Sequence, residues 1–310
     1  MKKNKSVKQF LSDNWIALIP YVMLLIIIVV MGVLNSNTLN SNYLANKCDA
    51  SLSLILVAIG QTFVLITGGF DLSVGGIICI VNCLMATRMT DSVGSMILWS
   101  VIGILIGILI GCFNGFVIER TGLQPFIVTL ATQSVCMGTA LLILKVDGGN
   151  VPITYMKAML TRFGAIPISL IILIALLLIW IYFKKTKICM NIYAVGSNKK
   201  AANLNGVNVL KTTVVAYAIS GGFAGLVRTA VVASGSPTAG GDFVMTSISA
   251  AVIGGTALTG GVGGIVGTIV GAFVLRYISD LLVFMEVSSY WSSLVQGIIL
   301  ILAVALSAYG

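Results

Sequence analysis

The chain contains no histidine, and only 9 of its 310 residues are acidic. Histidine is the commonest general base and metal ligand, so its absence removes the usual centre of a catalytic or metal site. The G-x-x-x-x-G-K-[ST] pattern of a phosphate-binding P-loop is also absent. No pair of carboxylates stands out for acid–base catalysis. We therefore expect no enzyme active site, metal or cofactor in this chain.

Charge of either sign is scarce. Charged residues make up 9% of the chain and apolar residues 58%, whereas soluble domains contain roughly 25% charged residues. Continuous apolar runs of about twenty residues predict an all-α integral membrane protein rather than the short alternating segments of a transmembrane β-barrel. The net charge of +9 does not indicate nucleic-acid binding, because the lysines lie beside predicted helix ends.

Six cysteines are scattered, mostly inside apolar runs, and imply no disulfide framework. Cys79 and Cys83 are four residues apart and would share a helix face. With no histidine in the chain and no carboxylate nearby, we interpret them as buried apolar residues rather than a metal pair.

Ten apolar segments predict ten membrane-spanning helices in one domain, residues 1–310. They cover about 15–34, 52–67, 71–88, 96–118, 125–144, 167–183, 212–234, 243–257, 262–284 and 290–308. The second breaks at Thr67-Gly68-Gly69 before the third resumes near Asp71. The first segment exceeds the roughly 7–15 apolar residues of a signal peptide, so we expect an uncleaved helix.

One polar segment, residues 184–211, interrupts the apolar pattern. It holds six lysines and no acid, so it must contact water or another protein instead of lipid. With the N-terminus inside, eleven Lys and Arg fall in cytoplasmic segments, five fall outside, and Arg228 and Arg276 fall within helices. The positive-inside rule therefore predicts that the polar segment and both termini are cytoplasmic.

Glycines recur at regular intervals in three predicted helices. They are Gly103, Gly107, Gly111 and Gly115, then Gly221 and Gly225, then Gly263, Gly267 and Gly271. Such stripes let helix backbones approach closely in lipid. We expect packing within one bundle, with a subunit interface as the less favoured alternative. The sequence T-G-G-F-D-L-S-V-G-G after the second helix is echoed by T-G-G-V-G-G after the eighth, and matching glycine breaks in two halves point to a transport pathway.

Polar side chains at membrane depth are candidates for that pathway. Asp71 is interpreted first as a cap of the third helix, with a pathway role as the alternative. Arg276 and Asp280, four residues apart, are expected to pair with each other. Arg228 has no sequence-local partner. The uncharged candidates suit a polyhydroxylated solute or serve as contacts between helices, and they are Asn82, Asn114, Thr129, Thr132, Gln133 and Thr139.

Three blocks of sequence carry a family resemblance. They are GQTFVLITGGFDLSVGG at 60–76, GFVIERTGLQPFIVTLA at 115–131, and YAVGSNKKAANLNGVNV at 193–209 with IGGTALTGGVGG at 253–264. In this order they resemble the permeases of bacterial ABC importers of the ribose, xylose and galactose type, in the branched permease superfamily that depends on binding proteins. The resemblance covers nearly the whole chain. It implies a multi-pass permease of the bacterial cytoplasmic membrane, and we include Phe126, within the second block, among the pathway candidates.

The resemblance also implies partners. A cytosolic ABC ATPase would receive a short coupling helix from the polar segment, an extracytoplasmic sugar-binding protein would dock on the outer loops, and a second permease subunit would complete a homodimer in lipid. The outer loops are residues 35–51, 145–166 and 234–242. The coupling residues are Asn198, Lys199, Lys200, Ala201, Ala202, Leu204 and Gly206, with the two alanines as a small contact face and the lysines meeting acids of the ATPase.

Alternatives to a ribose-like importer remain open. A nucleoside or autoinducer importer carries the same general signature. A stand-alone secondary transporter would need coupling carboxylates at mid-membrane, and the acids placed there, Asp71 and Asp280, both have structural interpretations. A membrane-embedded enzyme is disfavoured by the missing histidine.

Overall fold

The computed structural model describes residues 15–164, 166–227 and 234–287, together with Trp291, Leu294, Gly297, Ile298 and Ile301. The helices in this part of the chain are α1 (Trp15–Leu34), α2 (Ser41–Ile66), α3 (Ser73–Arg88), α4 (Val93–Thr121), α5 (Pro125–Ile143), α6 (Ile153–Met159), α7 (Ile168–Phe183), α8 (Lys187–Ser197), α9 (Lys199–Leu204), α10 (Val209–Leu226), α11 (Gly241–Ile253) and α12 (Ile265–Phe284). A 3-10 helix (Ser36–Leu39) joins α1 to α2, and an antiparallel hairpin of β1 (Arg162–Phe163) and β2 (Ile166–Pro167) precedes α7.

Within the described residues, nine of the ten predicted apolar segments correspond to helices. The tenth, 290–308, lies largely outside those residues, as does the end of the seventh. In the part of the chain that the structure describes, five helices (α2, α4, α5, α10 and α12) are long and apolar enough to cross a membrane, and the pair α7–α8, bent by 78°, makes a sixth if it counts as one span. Leu18–Leu34 of α1, α3 and α11 are shorter apolar helices. The protein is a polytopic helical membrane protein.

The central helix, α2, begins earlier than predicted. Residues 41–51 were expected in an outer loop, but they form the first turns of α2. The Asn40 side chain caps this start by accepting from the Asn42 backbone N–H at 3.2 Å. Lys47, within these turns, is buried in an ion pair with Asp280 of α12. This polar stretch is therefore helical, and a tertiary contact ties it to α12.

Glycine-lined packing joins α4 to α10. A β-carbon on Gly107 would lie 2.0 Å from the Gly221 carbonyl oxygen, and one on Gly225 would lie 2.2 Å from the Gly103 carbonyl oxygen. At the other stripe, a β-carbon on Gly267 would lie 2.0 Å from the Gly254 carbonyl oxygen. The predicted packing within one bundle is confirmed, because no side chain fits between these backbones.

The loops gather at two ends of the bundle. The α8 end comprises the end of α2, residues 254–264, α8 and α9, and there the Gly261 N–H donates to the Ile66 carbonyl at 2.8 Å. The hairpin end comprises residues 41–49, 145–152, the β hairpin and residues 234–240. Gly148 and Gly235 exchange two backbone hydrogen bonds there, of 2.9 and 2.7 Å. The loops predicted on the outer side of the membrane thus lie together at the hairpin end, as far as the structure describes them. The polar segment lies at the opposite, α8 end.

Candidate functional site

The polar segment folds into two short helices with explicit ends. The Thr186 side chain caps α8 by accepting from the Cys189 N–H at 3.3 Å, and Asn198 caps α9 by accepting from the Ala201 N–H at 3.0 Å. Gly206 follows α9 with a φ of 81°, a left-handed conformation that suits glycine. These residues form a short, sharply bounded helix, as predicted, with Asn198 as its cap rather than its first turn.

The end of α9 is a Schellman turn. The Gly206 N–H donates to the Asn203 carbonyl and the Val207 N–H donates to the Ala202 carbonyl, both at 3.0 Å. This pair of bonds satisfies carbonyls that a helix end otherwise leaves free. The prediction that Gly206 is the residue just past the helix is confirmed.

The exposed face of α9 differs from the predicted one. Ala202 is only 5% exposed and faces its own chain, so it does not offer the expected contact surface. Ala201 and Lys200 are exposed. Leu204 is 88% exposed, the highest value among the large apolar side chains of the described part of the chain. Helix α9 has only six residues, fewer than two turns, so its neighbouring residues face different sides. Ala202 lies on the side that faces the rest of the chain.

Lys199 is already paired within the chain. Its ammonium forms an ion pair with Glu119 near the end of α4, and the Thr213 hydroxyl donates to the same carboxylate at 3.0 Å. Lys199 therefore has a partner within its own chain, and the expectation that it meets an acid of the ATPase stays a prediction. Within the described residues, Lys200 has no such pair, and it borders a groove of about 670 Å³ with Asn203 and residues 206–210.

A second cluster of polar groups is buried around Asp71. One Asp71 carboxylate oxygen accepts from the Ser73 N–H at 3.0 Å and from the Ser73 hydroxyl at 2.6 Å, and the other accepts from the Ser220 hydroxyl at 2.7 Å. Asn114 donates to the Ser73 hydroxyl at 2.9 Å and accepts from Thr132 at 2.7 Å. We call this the Asp71 network.

The Asp71 network explains how α3 begins inside the protein. Leu72 occupies the cap position and makes no side-chain cap bond. Asp71, one residue earlier, accepts the Ser73 N–H instead and links α3 to α10 through Ser220. The predicted capping role is confirmed with a shift of one residue, and the pathway role stays a prediction.

The other pathway candidates are not brought to one place. Asn82 accepts from the Ser236 N–H at 2.5 Å at the hairpin end, Phe126 is exposed on α5, and Gln133 lies beside Gly75 and Gly76. Arg228 lies outside the described residues. An apolar groove of about 690 Å³ along α4 and α5 contains the candidates Thr132 and Thr139 but not Asn82, Phe126 or Gln133.

Arg276 and Asp280, predicted to pair, form no direct ion pair among the described residues. Asp280 forms its ion pair with Lys47 and accepts from the Tyr43 hydroxyl, whereas the buried Arg276 Nε has no hydrogen-bond partner among the described residues. Both partners of Asp280 lie on α2, more than 230 positions away in sequence, so spacing within α12 gave no signal for them. The described residues hold no group of three potential metal ligands.

Comparison with known proteins identifies the chain. Residues 44–304 match the family described as the permease component of the branched-chain amino acid transport system. The chain belongs to this family. In this permease family, the ribose import permease RbsC of Bacillus subtilis strain 168 is 36% identical over 298 residues, 93% of the chain and 91% of the relative.

Other relatives of this permease carry related names. The D-allose transport system permease AlsC of Escherichia coli K12 is 32% identical over 92% of the chain and 90% of the relative. The galactose/methyl galactoside import permease MglC of Haemophilus influenzae is 31% identical over 99% of the chain and 97% of the relative. No solved structure matches the chain. The resemblance drawn from the three sequence blocks is confirmed.

Proposed function

We propose that this permease is the membrane-spanning subunit of an ATP-driven importer for a ribose-like monosaccharide in the bacterial cytoplasmic membrane. Ten helices cross the membrane, with both termini and the α8 end in the cytoplasm. An extracytoplasmic binding protein delivers the sugar to the hairpin end, a cytosolic ABC ATPase drives transport, and two identical permeases form the pathway. Support comes from relatives named for ribose, allose and galactose import and from the gathering of like-sided loops.

Lipid would contact the apolar surface of the bundle. Exposed large apolar side chains lie on several helices, including Leu25 and Ile26 on α1, Leu105 and Leu109 on α4, and Leu178 and Ile179 on α7. These helices would be unstable in water with such surfaces, because each exposed apolar side chain forfeits its transfer free energy.

Leu204 is the observation that carries the ATPase-docking part of the proposal. It is 88% exposed, yet it lies on a polar segment that lipid does not accommodate. A capped helix that presents an apolar tip beside exposed Ala201 and Lys200 fits a cleft on another protein. Asp or Glu side chains near that cleft would complement Lys200.

Leu204→Asp tests this docking surface. We expect the variant to lose co-purification with its partner ABC ATPase and to lose ATP-dependent uptake, since a carboxylate replaces the apolar anchor. Leu160→Asp is the matched control, because Leu160 is an exposed leucine at the hairpin end. The ATPase should co-purify with that control as with the unaltered chain. Equal ATPase recovery with both variants would contradict the docking proposal.

The transport activity itself is tested in proteoliposomes. The permease, its ATPase and its binding protein should take up radiolabelled ribose only when ATP and the binding protein are both present. A panel with allose, galactose and nucleosides then separates a sugar importer from a nucleoside importer. Ribose uptake that needs neither ATP nor binding protein would contradict the proposal and favour a secondary transporter.

A further inference from the structure

Three backbone segments meet at one point of the α8 end without any intervening side chain. A β-carbon on Gly196 of α8 would lie 1.7 Å from the Ile66 carbonyl oxygen and 2.6 Å from the Gly261 nitrogen. A β-carbon on Gly260 would lie 2.9 Å from both the Gly196 carbonyl oxygen and the Gly68 nitrogen. Contacts below 3.0 Å exclude a side chain at either glycine. Helix α8 is therefore packed directly against the two glycine breaks, residues 67–69 and 259–264.

Hydrogen bonds hold these segments in register. The Tyr193 hydroxyl donates to the Gly263 carbonyl at 2.7 Å, and the Gly261 N–H donates to the Ile66 carbonyl at 2.8 Å. Tyr193 and Gly196 are three positions apart, so they share one face of α8. That face contacts the loop after α11 and the end of α2 together.

Helix α8 also connects almost directly to α9. It ends at Ser197 and α9 begins at Lys199. The Asn198 N–H donates to the Ala194 carbonyl at 3.1 Å, and its own carbonyl accepts from the Ala202 N–H at 2.9 Å. Backbone hydrogen bonding thus runs on both sides of the single residue between the helices. Only Asn198 separates the two helices, so a movement of α9 should move α8 with it.

We propose that Tyr193 and Gly196 are positioning residues that transmit movement of α9 to both glycine breaks at once. The inference rests on the proposed function, in which α9 docks on the ATPase. Backbones packed without side chains cannot slide independently, because a closely packed contact has discrete arrangements and little slack. One break continues into α3 and the Asp71 network, and the other into α12, so a single movement at α8 would reorient helices from both halves of the chain.

The decisive variant is Tyr193→Phe, which keeps the ring and removes the bond to Gly263. Its matched control is Tyr182→Phe, since Tyr182 is an exposed tyrosine on the neighbouring α7. Gly196→Ala tests the close packing, with Gly138→Ala as control, because a β-carbon on Gly138 meets no atom within 4 Å. The full complex is measured in proteoliposomes for ribose uptake, ATP hydrolysis, recovered ATPase and melting temperature.

For Tyr193→Phe we expect uptake per ATP hydrolysed to fall about fivefold, the factor that one net hydrogen bond represents. Recovered ATPase should match Tyr182→Phe, and the melting temperature should fall by at most the few degrees that one lost hydrogen bond represents, about 2–4 °C. A merely structural role would not change the ratio of uptake to ATP hydrolysis. An unchanged ratio of uptake to ATP hydrolysis in Tyr193→Phe, or in Gly196→Ala, would overturn the inference. Failure of the proposed function would be seen separately, as absent ATP-dependent ribose uptake in the unaltered complex.

Discussion

At the scale of single residues, Asp71 shows how a carboxylate is kept inside a membrane protein. It is fully buried, and an isolated buried charge would cost several kcal/mol. Three donors from Ser73 and Ser220 compensate it. Its neighbours in sequence predicted the cap, but Ser220 is 149 positions away and only folding brings it there.

Substitutions at Asp71 separate hydrogen bonding from charge. Asp71→Ala removes the acceptor of three buried donors and should lower the free energy of unfolding by about 3 kcal/mol, since each buried unsatisfied group costs roughly 1 kcal/mol or more. Asp71→Asn retains an acceptor oxygen for Ser73, and its amide can donate to the Ser220 oxygen, so we expect a loss below about 1 kcal/mol. Denaturant titration in detergent measures both.

Equal losses for Asp71→Asn and Asp71→Ala would contradict this account and show that the network requires the negative charge. Ribose uptake by folded Asp71→Asn adds the functional arm. A capping residue should tolerate the amide, whereas loss of uptake in the stable variant would favour the predicted pathway role.

Lys199 and Asp280 show the limit of residue-level prediction. The family resemblance implied that Lys199 would meet an acid of the ATPase, and spacing indicated that Asp280 would pair with Arg276. The actual partners, Glu119 and Lys47, come from α4 and α2. Ion pairs form between whichever charges the helix packing brings within reach, and local spacing contains no information on that packing.

At the scale of elements, the glycine stripes are the clearest signal in the sequence. Those of α4 and α10 fit together so closely that backbone carbonyls occupy the space of absent side chains. The periodicity fixed which face packs. It could not say that α10 is the partner of α4, because any helix with a smooth face would satisfy the same rule.

Gly107→Ala tests this helix pair. The added methyl group would lie 2.0 Å from the Gly221 carbonyl oxygen, so the helices must separate. We expect a loss of about 1–3 kcal/mol in the free energy of unfolding, as for other overpacked sites. Gly138→Ala is the control and should leave stability unchanged or slightly higher, because alanine favours helix. A stable Gly107→Ala protein would show that the packing is looser than the structure indicates.

At the scale of the whole molecule, the two ends of the bundle organise the function proposed for it. At one end, Glu119 pairs with Lys199 of the polar segment and accepts from the Thr213 hydroxyl. Arg162 donates to Asn46 at 2.5 Å at the other. The excess of Lys and Arg in its loops predicts that the α8 end faces the cytoplasm.

Cysteine labelling in intact cells tests that orientation. Asn203→Cys places a thiol on exposed α9, and Thr161→Cys places one on the exposed loop before the β hairpin. A membrane-impermeant maleimide should label Thr161→Cys in intact cells and Asn203→Cys only after permeabilisation, each measured above the background of the unaltered chain. The opposite order would reverse the predicted sidedness.

The sequence by itself determined the membrane class, the positions of the apolar helices and the permease family, because hydropathy and motif spacing are properties of neighbouring residues. The family resemblance implied the short helix α9 and its end at Gly206. Only the tertiary structure decided that residues 41–51 are helical, that Ala202 turns inward while Leu204 points out, and that Gly196 meets both glycine breaks. Each of these depends on contacts between segments far apart in the chain. Such contacts arise from packing the whole bundle, and no local pattern encodes them.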